Sequence, residues 1–582
     1  MKLDLSAPRP NGLAHDGVRS AYALLLDSLE DEHEVAVARG AMAGAREAGA
    51  ALLVIAGGAV GDPSADQRAK NFVFDLVPSS MRGVLVLTSA VSWAIGAAGM
   101  KTWLERFQPL PTCCLGVAIP GCPSLTVDNV SGVASAVNHL IQTHSARRIA
   151  FLRGPTGSSE AEDRLRSFRE ALNAAGLELD SRLVADGDFS KQSGARALAT
   201  LLDERRVAVG ALDAIVAAND YMALGAMEEL ARRDIHVPEQ VAVVGFDDVD
   251  SARSARPTLS TVRQPAESVG REGFRQLAAR REAGSAEFDR ALPTELVIRR
   301  SCGCSDPDVR LTSPQTPPLA GRFETSLVQR RQVILAEAVR AAQGSFGAAG
   351  AAWENRLLDA LIGELRGEQP GGFSRALAQL LRRLERSRVK ALVVHDVLTA
   401  LRRQALISVV GDAQARNVLE EAVHDARVLT GTILAQAEAR RGRFAAETLR
   451  GFSRRAHAAV FGDESELSQA AKQYLPALGI EACVVAALLS PGDVHSAARV
   501  VLCFEPGGRH APNRKVALSS LVAESLREPH NRTLLMLPIV TAGKPFGIAL
   551  LTVADIDGAL LDELRDLFGT LLGVSALRRG LP

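Results

Sequence analysis

In the first half of the chain, short apolar runs repeatedly end in small polar or acidic residues. Asp27 and Ser28 close the run at 22–27, Ser89 closes 83–89, Asn219 and Asp220 close 213–220, and Asp247 and Asp248 close 241–248. Carboxylates, amides and hydroxyls at such positions suit hydrogen bonding to the hydroxyls or amines of a small ligand. Any one of them serves equally as a helix cap, and only their recurrence across several runs favours a binding site. Cys302 and Cys304 are half of what a metal site needs, but no second Cys/His pair stands nearby in sequence, so they read as thiols. His139 and His144 are five apart, off the i,i+4 spacing of a helical metal pair, and read as surface or capping residues. His395-Asp396 has no accompanying ligand cluster and reads as a helix-face histidine. No phosphate-binding glycine loop, HExxH helix or GxSxG elbow is present, and nothing assembles a nucleophile with a base. The residues therefore suggest binding rather than catalysis, with no cofactor and no metal.

The elements that would position these residues follow one repeated unit. YALLLD, ALLVIAGG, GVLVLTS, TCCLGVAI, RIAFLRG, LVADGDF, DAIVAAND and VAVVGFDD are short runs separated by helical patterns, such as those at 161–175 and 222–233. Continuous apolar runs bounded by turns and alternating with helices predict parallel strands buried on both faces, arranged as two doubly wound lobes. In such sheets ligands bind beyond the carboxyl ends of the strands, where these polar residues stand.

At this point a resemblance becomes specific. VDNVSGVASAVNHLIQTHSARRIAFLRGP, the arginine of EDRLRSF, GDFSKQSG, DAIVAANDYMALGAMEEL, VPEQVAVVGFDD and PTLSTVRQP resemble, in order and spacing, the effector domain of LacI/purine-repressor-type regulators through about residue 300. The resemblance implies a type I periplasmic-binding-protein fold of two lobes, three crossover strands and a ligand cleft. It also implies ligand-binding roles for Asp128, which opens the helix of the second lobe, and for the cleft arginine Arg164. Phe189 would stack on a sugar or base, Asn219 and Asp247 would bond ligand hydroxyls or amines, and Gln264 would stand at a crossover. Ser28 and Ser89 are added from position alone. One guanidinium, several acceptors and a ring face suit a polyhydroxylated or heterocyclic ligand, sugar- or nucleoside/purine-like. The competing role for Arg164 and Asp247 is an ion pair that only shapes the cleft.

The resemblance has one departure. Regulators of this kind place a helix-turn-helix and hinge helix before the first sensor strand, whereas 21 residues precede Tyr22 here, too few for a three-helix reader. Direct DNA binding by that route is not expected. Lys plus Arg equals Asp plus Glu at 67 each, so no general charge draws the chain to nucleic acid. No signal-peptide run or membrane-length apolar segment is seen, and seven cysteines form no disulfide framework, so a cytoplasmic location is expected.

After the ending RRSCGC, which resembles sensors fused to signalling modules, a Pro/Ser-rich linker follows. Residues 321–440 are rich in Ala, Leu, Arg and Glu at helical spacing, predicting an α-helical bundle or signalling segment. From 441 the texture is α+β. The pairing of LLMLPIV with IALLTVAD across AGKPFG, flanked by terminal helices, resembles a GAF domain, read here as a scaffold. The expected fold class is thus α/β for a sensor over 1–305, a linker over 306–320, a helical segment over 321–440 and a GAF-like domain over 441–582. The expected protein is not an enzyme but a homodimeric sensor that signals by cleft closure, through the helical segment and the GAF-like domain, to a partner such as a kinase or cyclase. The alternative is transcription regulation without its own helix-turn-helix.

Overall fold

A computed structural model describes residues 20–283, 289–304, 323–342, 344–384, 391–409, 411–460, 464–505, 511–527 and 532–578. The expected linker and the N-terminal segment that bears on a helix-turn-helix lie outside the described residues. The chain forms two units: residues 1–303 together with 448–582, and residues 304–447.

The larger unit contains both lobes. In the first, β1 (Ala21–Leu26), β2 (Ala51–Ala56), β3 (Val84–Leu87), β4 (Thr112–Gly116) and β5 (Ser124–Val127) are parallel, with β11 (Asp289–Leu292) added beside β5. In the second, β6 (Ile149–Arg153), β7 (Val184–Asp186), β8 (Ala214–Ala217), β9 (Ala242–Asp247) and β10 (Ser260–Arg263) are parallel, and β12 (Glu295–Val297) closes the edge antiparallel to β10. Strand interiors are almost wholly buried, as runs without alternation require when helices cover both faces. The chain crosses between lobes between β5 and the helix Asn129–His144, between β10 and the helix Ala266–Ala283, and between β11 and β12. The helices Glu32–Glu47 and Ala266–Ala283 pack at very short range, because a Cβ on Gly40 or Gly270 would strike the facing backbone carbonyl at 1.9 Å.

The C-terminal region does not form the separate domain that its sequence predicts. β13 (Ile480–Leu488), β14 (Ala498–Phe504), β15 (Lys515–Val516), β16 (Thr533–Thr541) and β17 (Lys544–Val553) are antiparallel to their neighbours, and β16–β17 is the expected hairpin. β16 then pairs in parallel with β2, Leu52 to Ile55 against Thr533 to Met536, so that one eleven-stranded sheet runs from β11 to β15. Pro538, which cannot donate to a ladder, falls just beyond this pairing. The apolar cores on both faces of the sheet are shared: Leu52 and Val54 belong with Leu535 and Leu537 on one, Leu53 and Ile55 with Leu534 and Met536 on the other. Arg39 and Arg46 cap the carbonyls of Ile556 and Ala554, and Arg565 pairs with Glu30 at 3.0 Å.

The smaller unit is helical, as its composition predicts. Phe323–Ala341, Trp353–Leu365, Gly372–Leu384, Ala391–Val409 and the start of Ala413–Val460 bury a leucine-rich core of their own. His395 lies on the fourth of these helices. No described helix is long and apolar enough to cross a membrane.

Candidate functional site

A cleft of about 320 Å³ opens between the carboxyl ends of β1, β3, β6, β8 and β9 and is lined from both lobes. Among the residues singled out in the sequence, Arg164, Phe189, Asn219, Asp247, Gln264 and Ser89 line it. Arg164 extends from the helix Ser159–Ala174 and is 3% exposed. Its Nε donates to Asn129 Oδ1 at 2.8 Å and its Nη1 to the carbonyl of Ala218 at 2.6 Å, while the guanidinium lies 3.9 Å above the Phe246 ring. Asp247 Oδ1 is 3.9 Å from Arg164 Nη1 and accepts from Gln264 Nε2 at 2.5 Å. Asn219 caps the helix Asp220–Arg232 through Met222 N and donates to the carbonyl of Phe189, both at 2.9 Å. Phe189 itself has φ 68°, and the tether from Asn219 holds this left-handed turn in place.

Two of the sequence candidates lie elsewhere. Asp128 sits at a crossing between lobes, where its carboxylate caps the helix Asn129–His144 through Ser131 N and its carbonyl accepts from Thr294. A residue opening a helix beside a hinge already has its carboxylate occupied, and the cleft lies beyond its reach. Ser28 does not line the cleft either. Its N–H donates to Glu34 at 3.0 Å, its hydroxyl accepts from Glu30 N, and it faces a small crevice with Lys70 and Arg565.

Much of the first-lobe wall carries no signal in the sequence. Trp93 brings a second aromatic face opposite the lobe that carries Phe189, and Asp31, His33 and Glu34 come from the start of the helix Glu32–Glu47. Helix starts rich in acids look like ordinary dipole complementation, so nothing in the local pattern marks them as cleft residues. The two lobes also touch across this helix start: Glu32 N–H donates to the Tyr221 hydroxyl at 3.1 Å, and Ser251 donates to the Glu32 carboxylate.

Electrostatically the cleft is acidic. Asp27, Asp31, Glu34, Glu160, Asp188 and Asp247 line it against Arg164 and His33. Burial pushes the Asp247 carboxyl up to about 6, against the pull of Arg164, His33 and Gln264. Burial likewise raises Asp27 to about 6, with Lys70 opposing and Asp62 adding, and raises Glu34 well above the usual range with the help of Asp27 and Asp31. Next to Asp247, Asp248 behaves oppositely. It too is buried, yet Arg299, Arg253 and Arg263 surround it and hold its carboxyl below the ordinary value. Both aspartates have positive φ, 120° and 63°, so this ion cluster pins a strained turn at the cleft edge.

Asp248→Asn, which takes the shared anion from Arg253 and Arg299 and leaves Arg263 with Glu295 alone, is expected to cost about 3 kcal/mol of stability. A depressed carboxyl stabilises the fold above its unfolded value near 4 and loses that contribution as pH falls, so the gap between wild type and variant in thermal melts should narrow as pH falls below about 4. An unchanged melting temperature at neutral pH would show that the cluster is not holding the turn.

The comparisons with known proteins meet this geometry. Residues 137–302 match the family model of the periplasmic binding protein-like domain. The chain carries a periplasmic binding protein-like domain. The matched span of this binding-protein-like domain includes Arg164, Phe189, Asn219, Asp247 and Gln264. The HTH-type transcriptional regulator CelR of Thermobifida fusca is 41% identical over 212 residues, which cover 34% of this chain and 61% of CelR. The HTH-type transcriptional repressor CytR of Escherichia coli (strain K12) is 28% identical over 242 residues, covering 40% of this chain and 67% of CytR. Among solved structures, a transcriptional regulator CelR-cellobiose complex aligns with 30% identity and a TM-score of 0.41, covering 49% of this chain and 86% of that one. The chain thus spans about three fifths of the length of CelR, and the relatives support an effector-binding domain of the LacI type.

Proposed function

We propose that residues 1–305 sense a small uncharged polyhydroxylated molecule, a sugar or a nucleoside, by closing the two lobes around it. The carrying observation is the cleft wall itself: Asp247 with Gln264, the Arg164 guanidinium beside them, and two aromatic faces, Trp93 and Phe189, from opposite lobes. Ring faces suit the apolar face of a sugar or base, and carboxylates and amides suit its hydroxyls. Six carboxyl groups against one arginine and one histidine disfavour phosphorylated or acidic ligands, which would meet like charge in a partly desolvated cleft. Binding of this kind involves no bond breaking, and recovery of the ligand unchanged after long incubation is the expected result. A thermal-shift screen of the full chain against neutral sugars, nucleosides, nucleotides and sugar phosphates tests it. A rise in melting temperature confined to uncharged members is expected. Stabilisation by the phosphorylated members alone would refute the assignment.

Above pH 6 the raised carboxyls of Asp27 and Asp247 are ionised and accept ligand hydroxyls. Below it they are protonated and lose that capacity. The dissociation constant of the best neutral ligand should therefore rise by about fivefold as pH falls from 6 to 5 for each carboxylate that must be ionised. Calorimetric titration from about pH 5 to 8 measures this, and a flat profile would mean that neither carboxylate contacts the ligand.

The output is proposed to be regulatory. Lobe rotation would pass to the C-terminal region, read as a GAF-like scaffold because antiparallel strands lie between terminal helices, and then to a partner such as a kinase or cyclase. A homodimer would suit the exposed Val328 and Val339, eleven residues apart on one face of the helix Phe323–Ala341. Transcription regulation is the second reading, favoured by the identity of the relatives as transcriptional regulators. Gel-shift of genomic fragments separates the two, with saturable sequence-specific binding by the full chain favouring the second.

A further inference from the structure

His139, His144, Cys302 and Cys304 are far apart in sequence but meet in space, with their ligand atoms all within 4.8 Å of one another. We propose that these four side chains form a structural zinc site at the point where the chain leaves the second lobe. Two thiolates and two imidazoles are the donor set zinc takes in tetrahedral structural centres. With Zn–S near 2.3 Å and Zn–N near 2.0–2.1 Å, a tetrahedral sulfur-to-nitrogen edge is about 3.5 Å. Cys302 Sγ lies 3.5 Å from His139 Nε2. The largest separation in the cluster exceeds such an edge by about 1 Å, within reach of small side-chain rotations.

The surroundings are those of a site rather than a chance meeting. His139 holds its other nitrogen, Nδ1, 3.3 Å from the Thr143 hydroxyl, the outer contact that fixes the ring of a ligating histidine. Gly303 takes φ 98°, and this left-handed turn brings the cysteines on either side of it round to one centre. A Cβ there would approach the His144 ring at 3.3 Å. Burial, and for His139 the neighbouring His144 as well, lowers the pKa of both histidines, favouring the neutral ring that binds metal. The rings meet edge to face, 5.1 Å between centroids.

Spacing alone hid the cluster. Residues five apart project about 140° from one another on an ideal helix. His144, however, is the last residue of its helix, and the chain turns left-handed at Ser145. The other half of the donor set arrives from the end of the domain, so the expectation of surface histidines, a plain thiol pair and no metal is revised by this proposal.

On binding, Zn²⁺ takes the sulfurs as thiolates and both thiol protons pass to solvent. The contact that the Cys302 thiol makes with the Arg299 carbonyl, 3.4 Å, is then replaced by the metal bond. No electron is transferred.

The test uses the full chain, purified without chelator or affinity metal. Elemental analysis is expected to find about one zinc per chain. Replacement by Co²⁺ should give a thiolate-to-cobalt charge-transfer band with the visible bands of a tetrahedral centre. His144→Gln and Cys304→Ser alter partly exposed ligands and spare the fold. Each should lower zinc retention at least about tenfold during dialysis against a weak chelator, while Cys302→Ser at the buried ligand should abolish it. Metal-free protein with no cobalt spectrum, a Cys302–Cys304 disulfide in freshly purified protein, or undiminished zinc in the His144→Gln, Cys304→Ser double variant would each overturn the proposal.

Discussion

A chain cut after residue 303 is expected to be mostly insoluble, although it keeps both lobes and the whole cleft. The cut bares the outer edge of β2, whose backbone is paired with β16 from Leu52 to Ile55. It also uncovers Leu52, Leu53, Val54 and Ile55, each at most 1% exposed in the intact chain, and leaves Arg39 and Arg46 without the carbonyls they cap. A long apolar edge strand is a template for pairing with other chains. Full burial of each such side chain contributes about 1.5–3 kcal/mol, so the soluble remainder should melt at least about 10 °C below the full chain. A soluble, monomeric 1–303 protein with the melting temperature of the full chain would show that the lobe does not depend on the C-terminal strands. Expression yield, size-exclusion chromatography and calorimetry decide the matter.

The second large effect concerns the cleft. Asp247→Ala is expected to weaken ligand binding by about 100-fold, the loss of about 3 kcal/mol that follows when a charged acceptor of a ligand hydroxyl is removed. Since burial penalises the Asp247 charge, its loss should leave the ligand-free melting temperature unchanged or slightly higher at neutral pH. Arg164→Ala should also abolish the ligand-induced shift, but with a lower melting temperature. The structure gives this guanidinium more internal duties than the sequence implied: without it Asn129 Oδ1 and the Ala218 carbonyl lose a buried donor and Phe246 its cation. Arg164→Lys should not restore binding, because one ammonium cannot reproduce the planar fork. If Asp247→Ala and Arg164→Ala both respond to ligand as wild type does, the ligand lies elsewhere.

The parts of this molecule legible in its sequence are those where local pattern and final environment agree. Doubly buried strands are written as unbroken apolar runs, and the strand-end residues Asn219 and Asp247 stand beside the cleft because parallel sheets place their carboxyl ends there. Asp128 and Ser28 have the same composition and the same relation to strands, yet their polar atoms are taken by helix and loop backbone. Residue type alone does not separate a cap from a ligand contact. The joined sheet was hidden for a related reason. The run ALLVIA reads the same whether its strand is an edge or an interior one, and the partner, TLLMLPIVT, is nearly five hundred residues away. Its own unbroken apolar character was the available sign that both its faces would be covered. The His139/His144 and Cys302/Cys304 cluster depends wholly on tertiary proximity.

The eleven-stranded sheet places the two chain connections to the helical unit in different parts of the larger unit. One end of that unit is joined by the chain to Gly303, beside Ser301, whose hydroxyl and N–H bond into the second lobe at Val243 and Thr258. Its other end is joined to Thr448, whose neighbours Leu449 and Phe452 belong to the core shared by the first lobe and the C-terminal strands. The chain thus leaves the second lobe to enter the helical unit and returns from it into the core that the first lobe shares with the C-terminal strands, so the two chain connections belong to different lobes.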